Sequence, residues 1–192
     1  RHLPLLESAL KALETREFWP PFPEVPSGKI YGETAKDEGE STYAALLGTA
    51  FDLPGHPEEG RVGAEVSPWG PALGITYPAA APETLIAASG AAAPGLAEAS
   101  VEARTGALLE ALVRLNRMSF LLGHATIHTT GQAFAMAFQA GGPHAQDRGL
   151  EALAMAYSEL TRSARDAVWE KPQGRHAPLV IEKHWTLVPR GI

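Results

Sequence analysis

The chain has 192 residues, with 16 Lys and Arg against 22 Asp and Glu, for a net charge of -6. That balance excludes a nucleic-acid binder working by bulk positive charge. The absence of cysteine excludes a disulfide scaffold, a thiolate zinc site and a cysteine nucleophile within these residues.

The length fits one domain, and no apolar run reaches the ~20 residues that span a bilayer. A soluble, cytoplasmic protein with neither membrane nor nucleic-acid partners is the expectation. Residues 3–18 read as a helix: Leu6, Leu10 and Leu13 recur at helical spacing, and Leu3 and Phe18 extend the stripe. Pro20, Pro21, Pro23 and Pro26 then forbid helix, because each lacks a donor N–H and restrains its predecessor. Trp19 and Phe22 lie inside that run and make it an extended strap with two aromatic anchors rather than a free linker. A second helix is expected over 33–47, ending near Gly48, with Lys36, Asp37, Glu38 and Glu40 on a solvated face. Glycine and proline dominate 52–82, where 61–66 and 73–77 are expected as short strands joined by a turn at Ser67-Pro68-Trp69-Gly70. An Ala-rich helix follows over 83–93, stopped by Pro94-Gly95.

Ser100 is a good N-cap, and Glu102 sits where a negative charge favours a helix start. Leu108, Leu109, Leu112, Val113 and Leu115 share one face, and the pattern continues through Leu121, Leu122, Phe134 and Phe138. Gly123 and Gly131 each weaken a helix by roughly 1 kcal/mol relative to Ala, which predicts a kink or break at these positions. Gly141-Gly142-Pro143 marks a helix boundary, with the next helix over 143–165. From Leu179 to Val188 the period changes to two, as in a strand or tight hairpin. No comparably strong strand is visible to pair with it. Because a lone strand or hairpin is marginal in water, a partner sheet outside these residues is expected.

His124 and His128 lie four apart on a helix, the spacing of a two-histidine metal pair, but the string His-Ala-Thr-Ile-His lacks the glutamate of the zinc-protease motif. A hydrogen-bonded, part-buried pair is the expected state, with no metal. Thr126, Thr129, Thr130 and Gln132 make this helix polar for a core element, so it is either satisfied internally or faces a cavity, with His128 and Gln132 as substrate-facing candidates. The loop from Gly141 to Gly149 has neither Walker spacing nor a dinucleotide fingerprint, and reads as a helix corner with an Asp147–Arg148 surface pair. No serine elbow or triad spacing stands out, and no catalytic or cofactor-binding residue is assigned.

The strings Phe18-Trp19-Pro20-Pro21-Phe22-Pro23-Glu24, Tyr31-Gly32-Glu33-Thr34, His128-Thr129-Thr130-Gly131-Gln132-Ala133-Phe134 and Met136 through Ala152 carry a resemblance, joined by Trp169 through Gly174 and Val188 through Ile192. They resemble the PaaN-type phenylacetic acid degradation proteins, which are related to aldehyde dehydrogenases. Ser100, Arg104 and Leu108 look like the superfamily's early-helix pattern. Gly142 and Pro143 sit at its glycine–proline corner, and Pro189, Gly191 and Ile192 at the step into its nucleotide-binding sheet.

The resemblance implies a mainly α fold with a few short β-strands, the N-terminal helical part of an aldehyde dehydrogenase-like α/β protein. It divides the chain into a family-specific extension (1–98), a helical part (99–177) and a strand (178–192) leading to a nucleotide-binding domain. Downstream domains would bring a catalytic cysteine, a glutamate base and NAD or NADP, and the terminal strand would join an oligomerisation sheet in a homo-oligomer. The implied chemistry is oxidation of an aldehyde: thiolate attack, hydride transfer to NAD(P), and hydrolysis of the thioester. The implied substrate is a ring-opened semialdehyde carried as a coenzyme A thioester. Superfamily tunnels are lined partly by the helix after the corner, which makes Gln146 and Arg148 substrate-facing candidates. The rival expectations are a non-catalytic helical binding or assembly module and a metal-dependent helical enzyme using His124 and His128.

Overall fold

The computed structural model describes residues 1–187. The expected step at Pro189, Gly191 and Ile192, and the end of the alternating stretch at Val188, lie outside the described residues. The fold is mainly helical with two small antiparallel hairpins, as the sequence predicts. Among the described residues eight helices run in order: α1 (Leu3–Thr15), α2 (Gly28–Tyr31), α3 (Ala35–Leu46), α4 (Pro82–Glu98), α5 (Val101–Arg117), α6 (Ser119–Thr130), α7 (Phe134–Gly141) and α8 (Pro143–Thr161). Strands β1 (Gly60–Val62) and β2 (Tyr77–Ala79) pair between α3 and α4, and β3 (Asp166–Gln173) and β4 (His176–His184) follow α8.

Two helix groups make the body. In the first, α1 and α5 pack on α8 around Leu6, Ala9, Leu109, Leu150 and Ala154. Phe22 of the proline strap plugs into the same cluster at 5% exposure. Burying such a ring contributes about 1.5–3 kcal/mol, enough to hold a segment that has no ladder of its own. The strap therefore behaves as expected at Phe22, whereas Trp19 is more than one-third exposed. The helical stripe stops short of Phe18: α1 ends at Arg16 in a left-handed cap, and Phe18 stands 91% exposed. In the second group, α3 and α7 pack on α6. Phe120, Phe134 and Phe138 interlock there, with Tyr31 edge-on to Phe120 and Phe138.

Gly39 of α3 lies against Phe120 and the Leu121 backbone, where a Cβ has no room. Gly123, expected to bend the helix, stays inside α6 and is buried against Phe134 and Phe138. Aromatic packing offsets its poor propensity. The long periodic stretch breaks instead at Met118 and, as expected, at Gly131, which caps α6 at φ 76°.

Three further elements differ from their expected form. The helix over 83–93 runs on through Pro94 to Glu98, because α4 buries no residue and solvent can take the carbonyl that proline leaves unbonded. The expected strand at 61–66 shortens to β1, and that at 73–77 is displaced to β2, which shares only Tyr77 with it; isolated bridges join Val66 to Ala72 and Ala50 to Thr76. Arg61 fixes this lobe, donating from Nη2 to the carbonyls of Phe51 (2.6 Å) and Thr76 (2.9 Å). The final strand does find a partner within the chain: β3 pairs with β4 through a turn at Gly174. Pro172 disguises β3 in the sequence, and it falls at the irregularity between Lys171 and Gln173, where a strand tolerates proline. Every residue of β3 is nevertheless exposed, and neither α4 nor this hairpin packs extensively on the helical body.

Replacing Gly39 with alanine is expected to destabilise the protein by about 1–3 kcal/mol by forcing α3 off α6. The midpoint of urea denaturation, compared with that of wild type, measures it.

Candidate functional site

The corner Gly141-Gly142-Pro143 positions the site. A side chain at Gly142 would run into the Phe138 carbonyl, 2.6 Å from its Cβ position, and one at Gly141 would meet Thr126. Pro143 then opens α8 with its ring buried. The first turns of α8 are thereby pressed against α5, α7 and the strap, and polar side chains enter the interior there.

Gln146 is 4% exposed and Asp147 7% exposed. Gln146 Oε1 accepts from Asn116 Nδ2 at 2.9 Å, while its Nε2 is buried with no partner. The Tyr31 hydroxyl, 3.4 Å from the same Asn116 nitrogen, donates to the Pro23 carbonyl. Burial raises the Tyr31 pKa above the ordinary phenol value. Asp147 Oδ1 accepts the Phe22 N–H at 3.3 Å. Burial, which this one bond offsets only in part, pushes the Asp147 carboxyl up to about 6. His144 Nδ1 lies 3.0 Å from Glu24 Oε1 at the surface. Beside these contacts a groove of about 540 Å³ runs between α1, the strap and α8, lined among others by Leu13, Arg16, Phe18, Trp19, Asp147 and Arg148.

Of the expected substrate-facing residues, Gln146 and Arg148 share this turn but point to different surroundings. Gln146 belongs to the buried Asn116–Tyr31 network, and Arg148 lies at the groove, paired with Glu151 at 2.6 Å. The expected Asp147–Arg148 surface pair does not form, since helix periodicity turns one side chain inward and the other outward. Asn116 and Tyr31 enter the site unannounced, Asp147 enters as a buried acid rather than half of a surface pair, and Phe22, expected as an anchor, also donates its N–H there. The only signal in the sequence is an acid next to the helix corner.

His128 and Gln132 lie elsewhere. Gln132 is exposed in the link between α6 and α7. Ser67 Oγ accepts from the Trp69 N–H at 3.1 Å and lies 3.0 Å from His128 Nδ1, so its own proton is free to donate to the ring. Tyr43 stacks on both His128 and His124, at centroid distances of 5.1 and 6.3 Å. His124 Nε2 and the Tyr43 hydroxyl are buried without partners. Burial lowers the His124 pKa below the ordinary imidazole value. Of the expected hydrogen-bonded pair, only His128 has a hydrogen-bond partner among the described residues, whereas His124 is held by stacking on Tyr43 and by packing on Phe134. Among the described residues no three metal-capable side chains converge.

This arrangement of helices, with a glycine–proline corner and a protruding hairpin after α8, is that of the N-terminal part of an aldehyde dehydrogenase fold. A solved NAD-dependent aldehyde dehydrogenase from Burkholderia multivorans is 51% identical to this chain with a TM-score of 0.94, over 98% of this chain and 34% of that one. The chain thus spans about a third of that protein's length. No protein-family profile and no curated protein matches it.

Because the folded-state pKa of His124 is depressed, its contribution to stability is present above the unfolded value near 6.5 and is lost as pH falls below it. The variant His124→Leu is expected to flatten this acid limb, measured as the denaturation midpoint at pH 5 against that at pH 7.5.

Proposed function

We propose that these residues are the N-terminal portion of an NAD(P)-dependent aldehyde dehydrogenase acting in phenylacetic acid degradation, in the cytoplasm. The observation that carries this reading is the 51% identity, over nearly the whole chain, to an enzyme described as an NAD-dependent aldehyde dehydrogenase. The PaaN-type strings, from Phe18 through Glu24 and from His128 through Ala152, support the pathway. Its substrate would be a ring-opened semialdehyde bound as a coenzyme A thioester.

The residues in hand do not fit a dinucleotide. Both sheets among the described residues are antiparallel hairpins, with no parallel strand–turn–helix unit to receive a pyrophosphate, and the chain has no thiol. On this reading the cofactor and the nucleophile would come from other domains of the enzyme. The chain's own work is structural. The first turns of α8, with Gln146 inside and Arg148 at the groove, shape one wall of the substrate entrance. Helix α4, with Leu85, Ile86 and Leu96 exposed, covers the body of the enzyme.

The β3–β4 hairpin supports a homo-oligomer. Val168, Trp169, Leu179 and Val180 are each 46–65% exposed, and two strands alone are marginal in water. A second sheet edge is the cover that such a hairpin requires.

The complete reading frame, expressed and purified, is expected to reduce NAD or NADP in the presence of aldehydes and to favour the coenzyme A-linked semialdehyde over simple aliphatic ones. Absorbance of the reduced nicotinamide follows the reaction. Failure with every aldehyde and both cofactors would reject the enzymatic reading in favour of a non-catalytic assembly module. Substituting Val168→Lys together with Val180→Lys is expected to shift the native mass to a smaller species in light scattering while leaving the helical circular dichroism intact.

A further inference from the structure

The groove between α1, the strap and α8 contains a buried acid that no cation among the described residues pairs with. Asp147 is 7% exposed, and its Oδ1 accepts the Phe22 N–H at 3.3 Å. Among the described residues no donor meets its Oδ2. Unlike Gln146 Nε2, that oxygen is not sealed in, and Asp147 lines the groove. The neighbouring cations are engaged elsewhere. Arg148 Nη1 reaches Glu151 at 2.6 Å, and His144 Nδ1 lies 3.0 Å from Glu24. A buried carboxylate is stabilised by a paired charge or by several donors, and Asp147 has a single amide bond. Its raised pKa has the same origin, burial that one N–H offsets only in part.

The rest of the groove suits a positive charge. Its wall carries the carboxylates Glu17, Glu24, Asp147 and Glu151 against the guanidiniums Arg16 and Arg148, so it is negative whether His144 is charged or neutral. Phe18 and Trp19 stand in the same wall at 91% and 36% exposure, and an accessible aromatic face attracts cations through its quadrupole. Leu13, Leu150 and two prolines add apolar surface. A space of about 540 Å³ is of the size that takes a small molecule.

We propose that this groove binds a small organic cation, a primary ammonium on an apolar body, with the ammonium donating to Asp147 Oδ2 and the body lying against Trp19 and Leu13.

The ammonium and the Phe22 N–H then act in the same direction, since a bond to either oxygen is stronger when the carboxyl is ionised. Binding therefore leaves the strap's anchor in place and supplies the counter-charge that the buried acid lacks. A carboxylate or phosphate ligand is repelled by the same wall. The ligand is thus not the coenzyme A thioester proposed as substrate, and the site is tested without any dehydrogenase turnover.

Titration calorimetry of the intact natural protein at pH 7.5 with hexylamine, hexanoate and 1-hexanol tests it, because the three probes share one body and differ in charge. Hexylamine is expected to bind about tenfold tighter than either of the others. Asp147→Asn keeps the shape and an acceptor for the Phe22 N–H, and is expected to weaken hexylamine about tenfold while leaving hexanol unchanged. Trp19→Ala, at a part-exposed ring outside the core cluster, is expected to weaken hexylamine about threefold, and it decides if Asp147→Asn does not fold. Circular dichroism verifies the fold of each variant. No binding of hexylamine, equal affinity for hexanoate, or a hexylamine affinity that neither folded variant changes would overturn the proposal.

Discussion

The structure depends on a helix corner from which side chains are missing. At Gly141 and Gly142 the end of α7 comes down onto Thr126, Ser119 and the Phe138 carbonyl with no Cβ between them. This close approach seats the end of α7 on α6, and α7 in turn packs on α8 and links the two helix groups. It also aims α8: Pro143 starts the helix already buried, so the next turn carries Gln146 and Asp147 inward whatever their polarity. The polar interior follows from that geometry. Asn116, Tyr31 and the strap backbone supply hydrogen-bond partners for side chains that cannot reach water.

The distribution of burial is uneven in a way that matches the chain's relatedness. The helical body has tightly filled positions, such as Phe138, Leu109 and Leu150. Helix α4 and the β3–β4 hairpin, by contrast, show apolar side chains on nearly all sides. Small domains do not gain stability by leaving leucine, valine and tryptophan in water, and faces of this kind are surfaces for contact. Their partners in an aldehyde dehydrogenase would be the remaining domains and neighbouring subunits, which is why the enzymatic reading assigns this chain a supporting role.

Much of the body was legible from residue spacing. The leucines of α1, the Ser100 cap of α5 and the corner at 141–143 appear where local rules put them, because each depends on neighbours within a few positions. Strand β3 was not legible. Pro172 argues locally against a strand, and the irregularity that accommodates it is visible only once the partner strand is present. Pro94 failed in the opposite direction, since the cost of a proline inside a helix depends on whether the freed carbonyl is wet. The site was readable only in outline. The turn holding Gln146 and Arg148 was singled out by resemblance, but Asp147 looked like half of a surface pair.

By itself the sequence determined the helical class, the lack of a thiol and a phosphate-binding loop, the extended proline strap and the position of the corner, all properties of composition or of short segments. Only the tertiary structure decided which polar residues lie inside. Phe22 and Asp147 are 125 positions apart and meet because two helix groups close on one strap. Burial, hydrogen-bond partners and the displaced acidity of a carboxyl arise from such long-range contacts, and no local pattern of residues encodes them.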